Sequence, residues 1–485
     1  MARWYKKKRF WFLLLSVLLL IYIGTIIYHQ VKALPEGVSV ATEPRSLSDD
    51  DVTFLVDHTY QQGDDEIVEH EIFDELYAAI ENAEEFLIID MFMVNETSNE
   101  SRMYPPLSSE FSERIATQME RHPDLNVVFI TDHLNTTYGS HEAEHIDYLA
   151  DLGAEIIYTD LSQLRDPNPL YSGLWRMGLQ WFGQRGTGWI TNPLGETSPE
   201  VTVRSLLKLT NIKANHRKVL ITEDAGYVLS ANPHDASGFN SNIGIKVQGE
   251  FLYDLIESEK AVAAFSGGDV SMFPSEESLA SLLAPTDGPL SAQVVTEREI
   301  EYAVIDALDA ATPEDTVWLG MFYLSDRHII EAMERAADRG VPQRIILDPN
   351  QNAFGQEKIG LPNIPVAEEL VTLDSDSIDI RWYNTNLEQY HSKIFFVDRP
   401  DSAQVIAGST NFTARNLDDY NLESNLSIEG PPDSAFLSDV RNYFERLWEN
   451  EDGEFTVEYE EYEEPLGWVK YVTYRIQKAL RFTTY

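Results

Sequence analysis

Two short segments of the sequence carry the same pattern of chemically useful side chains. Each has a histidine, a lysine two residues later and an acidic residue seven residues later: His216, Lys218 and Glu223 in the first segment, and His391, Lys393 and Asp398 in the second. A chain of 485 residues with 11 histidines, 36 basic and 81 acidic residues should contain well under one such match by chance. We therefore interpret the chain as two copies of one folding unit.

The order of predicted helices and strands around the motifs is also repeated. A helix, then a strand, then two further strands precede each motif: 72–85, 86–94, 126–132 and 154–160 in the first half, and 298–311, 316–324, 343–350 and 378–384 in the second. Helices that alternate with short apolar strands predict mixed, mostly parallel sheets with helices on their faces. The predicted fold is α/β, built from two α/β/α units with pseudo-twofold symmetry.

The spacing of the motif residues predicts a site for a phosphate group. A histidine and a lysine two apart on a β-strand point to the same face and can meet one ligand. Each motif is followed, in the next apolar strand, by a Ser-x-Asn triplet that can add neutral donors: Ser230 and Asn232 in the first half, Ser409 and Asn411 in the second. Each strand supplies half a site, so the two copies together predict one complete site around a phosphodiester.

The second motif closely resembles the signature of the phospholipase D superfamily, H-x-K-x4-D followed by G-S/G-x-N. The stretch HSKIFFVD…AGSTNFTARNLDDYNLESN, residues 391–425, includes Glu423. In such enzymes an acid at this place commonly partners the far nitrogen of the histidine. The resemblance covers about residues 53–430 and extends to bacterial proteins similar to cardiolipin synthases.

The first motif departs from this pattern at three places. Glu223 replaces the usual Asp, and Leu229 stands where a Gly usually precedes Ser230. Asn240 lies near the place where an acid like Glu423 is expected, and Asp235 is the alternative. These departures concern the residues that support the first histidine and leave its His and Lys in place.

The resemblance implies a phosphodiesterase or phosphatidyltransferase that needs no metal or other cofactor. One histidine attacks phosphorus to form a phosphohistidine, and the other protonates the leaving alkoxide and then activates the acceptor. By analogy His216 is the nucleophile and His391 the acid and base, although the symmetry of the motifs also allows the reverse. The side chains expected to neutralise charge on the phosphoryl oxygens are Lys218, Lys393, Asn232 and Asn411.

The N-terminus carries a membrane-targeting pattern. KKKRF at residues 6–10 leads into an apolar run over 10–28 that contains no charged side chain. This run spans about 28 Å as a helix, close to the bilayer core of about 30 Å. Basic residues on its N-terminal side predict a cytoplasmic segment 1–9 and an extracytoplasmic remainder, joined by a linker over 29–52. The alternative is a secreted protein, because Val31-Lys32-Ala33 resembles a signal cleavage site.

Composition narrows the choice of partners. The chain has a formal net charge of −45, which weighs against nonspecific nucleic-acid binding, and no cysteine, which excludes disulfides, thiolate metal sites and cysteine nucleophiles. We expect a membrane phospholipid as substrate, contact with the bilayer and no obligate protein partner. A nuclease on the same scaffold is the second hypothesis, and a non-catalytic binding relic is the third.

Several segments lie around the two predicted halves, 53–250 and 297–448, which are joined by a connection over 251–296. An aromatic insertion over 165–205 contains Leu174, Trp175, Trp181 and Phe182 and predicts either a packed helix or one that enters the lipid interface. The C-terminal part, 449–485, is an acidic stretch followed by a basic amphipathic helix, which suits an anionic membrane or the protein's own acidic surface.

Two further polar residues are candidates for the walls of the site. His234, just past the first Ser-x-Asn triplet, either lines the pocket or is a loop residue. Asp348 lies at the end of a predicted parallel strand, where sites in α/β proteins gather, and it either faces the site or stabilises the turn.

Overall fold

The computed structural model of the chain describes residues 2–98, 102–183, 187–193, 198–353, 356–373 and 376–462. Over these ranges two large mixed sheets are flanked by helices, and one long helix stands at the N-terminus. This arrangement confirms the predicted α/β class with two mixed sheets. The basic helix predicted at 467–485 lies outside the described residues.

The strands fall into two main sheets. The first sheet contains β2 Val52–Gln62, β3 Asp65–Glu69, β4 Phe86–Met91, β5 Asn126–Thr131, β6 Glu155–Tyr158, β7 Lys218–Thr222, β8 Gly226–Leu229 and β9 Asn242–Val247. The second contains β1 Arg45–Leu47, β10 Leu290–Thr296, β11 Thr316–Met321, β12 Gln343–Leu347, β15 Ile378–Tyr383, β16 Lys393–Asp398, β17 Ala403–Gly408, β18 Ser424–Gly430 and β19 Thr456–Glu458. A separate ribbon pairs β13 Asn352–Ala353 with β14 Gln356–Glu357.

The two sheets share one strand order. Seven strands run β2-β9-β8-β7-β4-β5-β6 in the first sheet and β10-β18-β17-β16-β11-β12-β15 in the second. In each of these runs the last two pairs are parallel and the other four are antiparallel. The expectation of mostly parallel pairing is therefore wrong, because each motif strand turns back into an antiparallel hairpin with the strand that carries Ser-x-Asn.

Helices cover both faces of the sheets. The helices are α1 Ala2–Val31, α2 Ile72–Asn82, α3 Leu107–Arg121, α4 Glu144–Asp151, α5 Pro169–Met177, α6 Val203–Leu209, α7 Leu252–Ser266, α8 Glu276–Leu282, α9 Arg298–Ala310, α10 Arg327–Asp338, α11 Asn363–Val371, α12 Ala414–Leu417 and α13 Ala435–Glu449. Side chains alternate along each strand between a core shared by both sheets and an outer core: on β4, Ile88 faces the shared core and Leu87 the outer one. The shared core also buries α7 and α13, which follow β9 and β18 respectively.

The N-terminal helix α1 is docked onto the aromatic insertion. Within α1, residues Lys7–Val31 form a helix long and apolar enough to cross a membrane. The phenol of Tyr22 donates to the carbonyl of Leu170 on α5 at 2.6 Å. Gly173 lets the two helices approach closely, because a Cβ there would lie 2.6 Å from the Tyr22 ring. In the second half the connection between β15 and β16 contains only residues 384–392, so this docking surface belongs to the first half.

The predicted linker and connection carry more structure than the sequence indicates. Within the linker, β1 pairs antiparallel with β10, so this segment is the edge strand of the second sheet. The predicted connection 251–296 holds both α7, which packs on the first sheet, and β10, which belongs to the second. The predicted linker and connection therefore contain ordered elements of both sheets, which are too short or too mixed in composition to show in hydropathy alone.

His58 on β2 joins the two halves through ring packing. Its imidazole stacks on Tyr443 of α13, with ring centroids 5.6 Å apart, and contacts Phe455 at 5.4 Å. Among the described residues its Nδ1 has no hydrogen-bond partner. Burial lowers the pKa of His58 to about 3, so the folded chain keeps this ring neutral.

We expect the neutral ring of His58 to make folding pH-dependent. Its stabilising contribution is present above the unfolded pKa of about 6.5 and is lost as pH falls towards the folded value, because only the unfolded chain then binds a proton. Between about pH 7 and pH 5 the free energy of unfolding should fall by about 2 kcal/mol more in the wild type than in His58→Phe. Denaturant titration of the full chain in detergent measures this difference, and parallel pH curves for the two proteins would contradict it.

Candidate active site

The two motifs meet where the halves of the chain cross. The backbone N–H of His216, just before β7, donates to the carbonyl of Leu422 at 2.9 Å. In the same way the N–H of His391, just before β16, donates to the carbonyl of Ser241 at 2.8 Å. Each motif is therefore tied by its backbone to the opposite half, and both histidines line one cavity of about 170 Å³.

Each imidazole is also held by a side chain from the opposite half. Nδ1 of His216 lies 2.9 Å from Oε2 of Glu423. Nδ1 of His391 lies 3.1 Å from Oδ1 of Asn242, whose Nδ2 donates to the carbonyl of Asn240. Because this amide offers its oxygen, His391 carries the proton on Nδ1. The counterpart of Glu423 is thus Asn242, and not Asn240 as the sequence suggests.

Two of the predicted supporting acids do not reach the histidines. Glu223 accepts backbone N–H groups of Glu84 and Glu85 at the start of β4. Asp398 forms a two-point ion pair with Arg441 on α13. Seven residues of extended strand separate each acid from its histidine, about 23 Å. Both acids stabilise the far ends of the motif strands, which explains why Glu can replace Asp in the first copy.

Asp235, the other predicted support, also lies elsewhere. Its Oδ1 accepts from the N–H and the hydroxyl of Ser108 in the first turn of α3, at 2.9 and 2.7 Å. His234 does line the cavity, but its two ring nitrogens lie within hydrogen-bond distance of the Ser237 hydroxyl and the Thr97 carbonyl. Through these hydrogen bonds both residues stabilise the loops next to the cavity, and among the described residues neither is hydrogen-bonded to His216 or His391.

The two lysines have matching surroundings in the two halves. Nζ of Lys218 donates to the carbonyl of His216 at 2.8 Å, and Nζ of Lys393 donates to that of His391 at 2.6 Å. Each ammonium also lies 5.1 Å from the centroid of an aromatic ring, Phe92 in the first half and Phe322 in the second. The strand geometry therefore places both lysines beside the histidines, as the two-residue spacing predicts.

Each Ser-x-Asn triplet contains a serine that supports a histidine partner and a buried asparagine that lines the cavity. The hydroxyl of Ser409 donates to Glu423 at 2.6 Å, and that of Ser230 to Asn242 at 3.1 Å. Asn232 and Asn411 line the cavity, and the Oδ1 atoms of both lack a hydrogen-bond partner among the described residues. Each serine orients the partner of a histidine, and each asparagine is left to bind a ligand.

Two aspartates that end parallel strands position the motifs. Asp348, after β12, accepts the N–H of Tyr390 at 2.7 Å, immediately before His391. Asp132, after β5, accepts the N–H of Asn215 at 2.7 Å, immediately before His216. Asp348 thus acts on the backbone of the motif, and Asp132 is its equivalent, which the sequence analysis misses. The shared signal is an Asp directly after the second parallel strand of each half.

Burial controls the ionisation of the site. Burial, followed by the nearby Lys218 and Lys393 ammonium groups, holds the pKa of His216 well below its usual range, and the same causes lower that of His391. Burial also lowers the pKa of Lys218 to about 7 and raises the pKa of Glu423 to about 7. A bound anion would offset the burial penalty on the lysines and histidines, because it stabilises their protonated forms.

Metal-ligand geometry occurs in the second half, away from the motif strands. Among the described residues Glu301, Asp326 and His328 have ligand atoms close enough together for one ion. Their contacts already have a structural explanation: His328 pairs with Glu301 at 2.6 Å, and Asp326 caps α10. None of the three lines the cavity that holds His216 and His391.

The repeated sheet order and the paired motifs define a duplicated α/β protein with one composite His/Lys centre. Residues 304–448 match the family model described as "Cardiolipin synthase, PLD-like domain". The fold is similar to that of phosphatidylserine synthase from Haemophilus influenzae, with a TM-score of 0.57, 11% identity, and coverage of 93% of this chain and 96% of that one. The second half of the chain thus matches a PLD-like domain, and the fold over most of the chain is similar to that of a phosphatidylserine synthase.

Two other solved structures resemble parts of the chain at TM-scores below 0.5. The match to polyphosphate kinase from Porphyromonas gingivalis has a TM-score of 0.43 and 10% identity, and it covers 81% of this chain and 50% of the kinase chain. The match to the phospholipase D family member Nuc from Salmonella typhimurium has a TM-score of 0.26 and 19% identity, and it covers 34% of this chain and 97% of the Nuc chain. No curated protein sequence matches the chain at a significant level.

We expect binding of a tetrahedral oxyanion at this centre to weaken as pH rises above about 7. The protonated form of Lys218 attracts the anion, and this form disappears as pH rises through its lowered pKa of about 7. With sulfate, whose charge is constant in this range, affinity should fall by up to about tenfold per pH unit. Calorimetric titration of the full chain from about pH 6 to pH 9 measures the effect. An affinity that is constant across this range would contradict it.

Proposed function

We propose that the chain is a membrane-anchored phosphodiesterase or phosphatidyltransferase that acts on phospholipids through a phosphohistidine. The observation that carries this proposal is the crossed arrangement of the two histidines, each held through Nδ1 by the opposite half. This contact leaves Nε2 of each ring to act on a substrate in the shared cavity. The family model and the fold agree with this chemistry.

In the first step Nε2 of His216 attacks phosphorus while the bond to the leaving oxygen breaks. Glu423 stabilises the positive charge that develops on this ring. Protonated His391 transfers its proton to the leaving alkoxide, and the negative phosphodiester offsets the burial that disfavours this protonation. In the second step neutral His391 takes a proton from water or an alcohol, whose oxygen attacks phosphorus and breaks the N–P bond.

The charges around phosphorus come from the chain's own side chains. Lys218 and Lys393 neutralise the phosphoryl oxygens, and the amides of Asn232 and Asn411 add donors after a flip of each side chain. With both lysines and His391 protonated and Glu423 ionised, the positive charges of the centre exceed the negative ones even after a singly charged phosphodiester binds. We therefore propose that the reaction needs no metal ion.

A lipid substrate is favoured by the lining of the cavity. Its walls are largely aromatic and aliphatic: Phe92, Met93, Leu134, Tyr138, Leu209, Ile212 and Phe322. The nuclease alternative would need a basic track for a polyanion, whereas the chain has a net charge of −45. Water as acceptor gives a hydrolase and a lipid hydroxyl gives a transferase, and both use the same centre.

A retained anchor is favoured over a cleaved signal by the docking of α1. Besides the Tyr22 contact, Nε2 of Gln30 donates to the carbonyl of Asp166, and the N–H of Asp166 donates to the carbonyl of His29. Cleavage near residue 33 would remove all three contacts. We propose a single span with a cytoplasmic N-terminus and the catalytic halves outside.

The division of roles between the histidines can be tested with a nitrophenyl phosphodiester. Its leaving group needs little protonation, so His391→Ala should release one equivalent of nitrophenol and then stall, because the acceptor is no longer activated. The stalled protein should carry acid-labile phosphate on His216. His216→Ala should give no burst, whereas His122→Ala, outside the cavity, should turn over normally. A burst from His216→Ala alone would exchange the roles, and equal bursts from both variants would refute the covalent mechanism.

The lipid reaction can be tested in membranes of cells that overproduce the chain. Mass spectrometry should show growth of phosphatidic acid if water is the acceptor, or of a diphosphatidyl lipid if a lipid hydroxyl is the acceptor. The double variant His216→Ala/His391→Ala is the matched control and should leave the lipid profile of the host unchanged. An unchanged profile with the wild-type chain, together with cleavage of single-stranded DNA, would favour the nuclease alternative.

A further inference from the structure

A second cavity, of about 210 Å³, lies beside the catalytic one. Tyr138 and Lys213 line both cavities, so a single layer of side chains separates them. Tyr138 and Thr137 before it have positive φ angles of 56° and 39°. Non-glycine residues rarely adopt this conformation, so the wall between the cavities rests on a strained turn.

The second cavity is cationic in an acidic protein. Four basic side chains line it: Arg176, Arg204, Lys208 and Lys213. Three carboxylates are near them: Asp160 in the lining, Asp166 behind it, and Asp132, which acts on Lys208. The local balance is therefore about +1, whereas the whole chain carries −45. An anion is the ligand that this balance favours.

Two of the four cations already have a carboxylate partner. Arg176 forms a two-point pair with Asp166, and Nζ of Lys213 lies 2.8 Å from the same carboxylate. Although burial raises it, these two cations hold the pKa of Asp166 well below its usual range. Both carboxylate oxygens of Asp166 therefore already accept hydrogen bonds from Arg176 or Lys213.

The other two cations have no carboxylate within ion-pair distance among the described residues. Arg204 donates to the carbonyls of Leu179 and Gln180 and lies 4.3 Å from the ring centroid of Trp175. Nζ of Lys208 lies 5.5 Å from the ring centroid of Tyr138, and burial lowers its pKa although Asp132 and Asp160 act to raise it. A largely buried ammonium without a carboxylate in direct contact is costly, and a bound anion would reduce that cost.

The position of α1 gives the depth of this cavity relative to a membrane. The contact of Tyr22 with α5 is six residues, about 9 Å, inside the C-terminal end of the apolar run at Tyr28. Interfacial helices insert by about 5–10 Å, so α5 lies at the boundary of the acyl chains. Lys32, just beyond the span, donates to the carbonyl of Ser162, which lines the cavity. The cavity is thus at the depth of the lipid headgroups.

Apolar side chains of the insertion point to the same interface. Leu170 and Leu174 on α5 are 63% and 56% exposed, and Trp181 and Phe182 after it are 75% and 69% exposed. Trp175, in contrast, is buried against Arg204, which matches the packed-helix alternative at this position. Exposed aromatic residues adjacent to a residue of the cavity lining, Gln180, suit the membrane interface, where aromatic side chains and lipid phosphates meet.

We propose that this second cavity binds the phosphate of an anionic phospholipid, through Lys208 and Arg204, and holds the catalytic halves on the membrane surface. The proposal rests on the proposed membrane span of α1 and does not depend on the chemistry of His216 and His391. The bound lipid is not a substrate, because its phosphate is separated from the histidines by Tyr138 and Lys213.

The experiment measures lipid bound to the full chain in detergent by native mass spectrometry. His216→Ala is used as the background, so that lipid in the catalytic cavity is not consumed. Lys208→Met should weaken retention of one phosphatidylglycerol by about tenfold, because the variant loses an ionic hydrogen bond to the phosphate. Lys208→Arg should retain it. Lys260→Met is the matched control, because Lys260 pairs with Glu257 on α7 and lines neither cavity.

Two outcomes would overturn the proposal. Equal retention of phosphatidylglycerol by Lys208→Met and by the Lys208 parent would mean that the cations have only a structural role. Binding of inorganic phosphate or glycerol 3-phosphate to the lipid-free chain, dependent on Lys208 and as tight as that of phosphatidylglycerol, would make a free phosphate ester the ligand. Lys208-dependent lipid binding without any nitrophenol burst would leave this site intact and refute only the proposed catalytic function.

Discussion

The exchange of contacts between the halves is the interaction on which the centre depends. Glu423 from the second half holds His216, and Asn242 from the first half holds His391. The backbone repeats the exchange, since each motif donates its N–H to a carbonyl of the opposite half. Neither half alone therefore holds its histidine in place. Contacts across the interface between the halves orient both imidazoles.

Burial of this interface sets the electrostatics. Two ammonium groups and one carboxylate lose their hydration in this buried site, so keeping all three charged costs free energy. Burial therefore lowers the pKa of Lys218 and raises that of Glu423, which favours their neutral forms. Arg217, between the motif His and Lys, shows how the fold keeps a fully buried charge elsewhere. It is paired with both Glu259 and Glu297, and Glu297 also accepts the N–H of Glu423. Ion pairing thus fixes the wall behind the centre, whereas the centre itself is left short of negative charge.

Much of this arrangement follows from local patterns in the sequence. A two-residue spacing on a strand has one geometric outcome, so the placement of Lys218 and Lys393 beside their histidines could be predicted. The partner of His391 could not, because loop length is not repeated. Glu423 follows Asn411 by twelve residues, whereas Asn242 follows Asn232 by ten. Strand direction also escaped prediction, since alternating helices and strands indicate parallel pairs and do not show the hairpin that follows each motif.

The N-terminal segment is attached to both halves within a few residues of the end of α1. Lys32 donates to the carbonyl of Ser162 in the first half, whereas the N–H of Ser39 donates to Glu297 and that of Thr42 to the carbonyl of Val294 in the second sheet. If α1 spans a bilayer, no flexible linker allows the two halves to rotate or to move away from the membrane surface. The cavities stay at one height, and the protein samples lipids only by lateral diffusion within the leaflet. The encounter with a substrate is then a two-dimensional search, governed by surface density and not by bulk concentration.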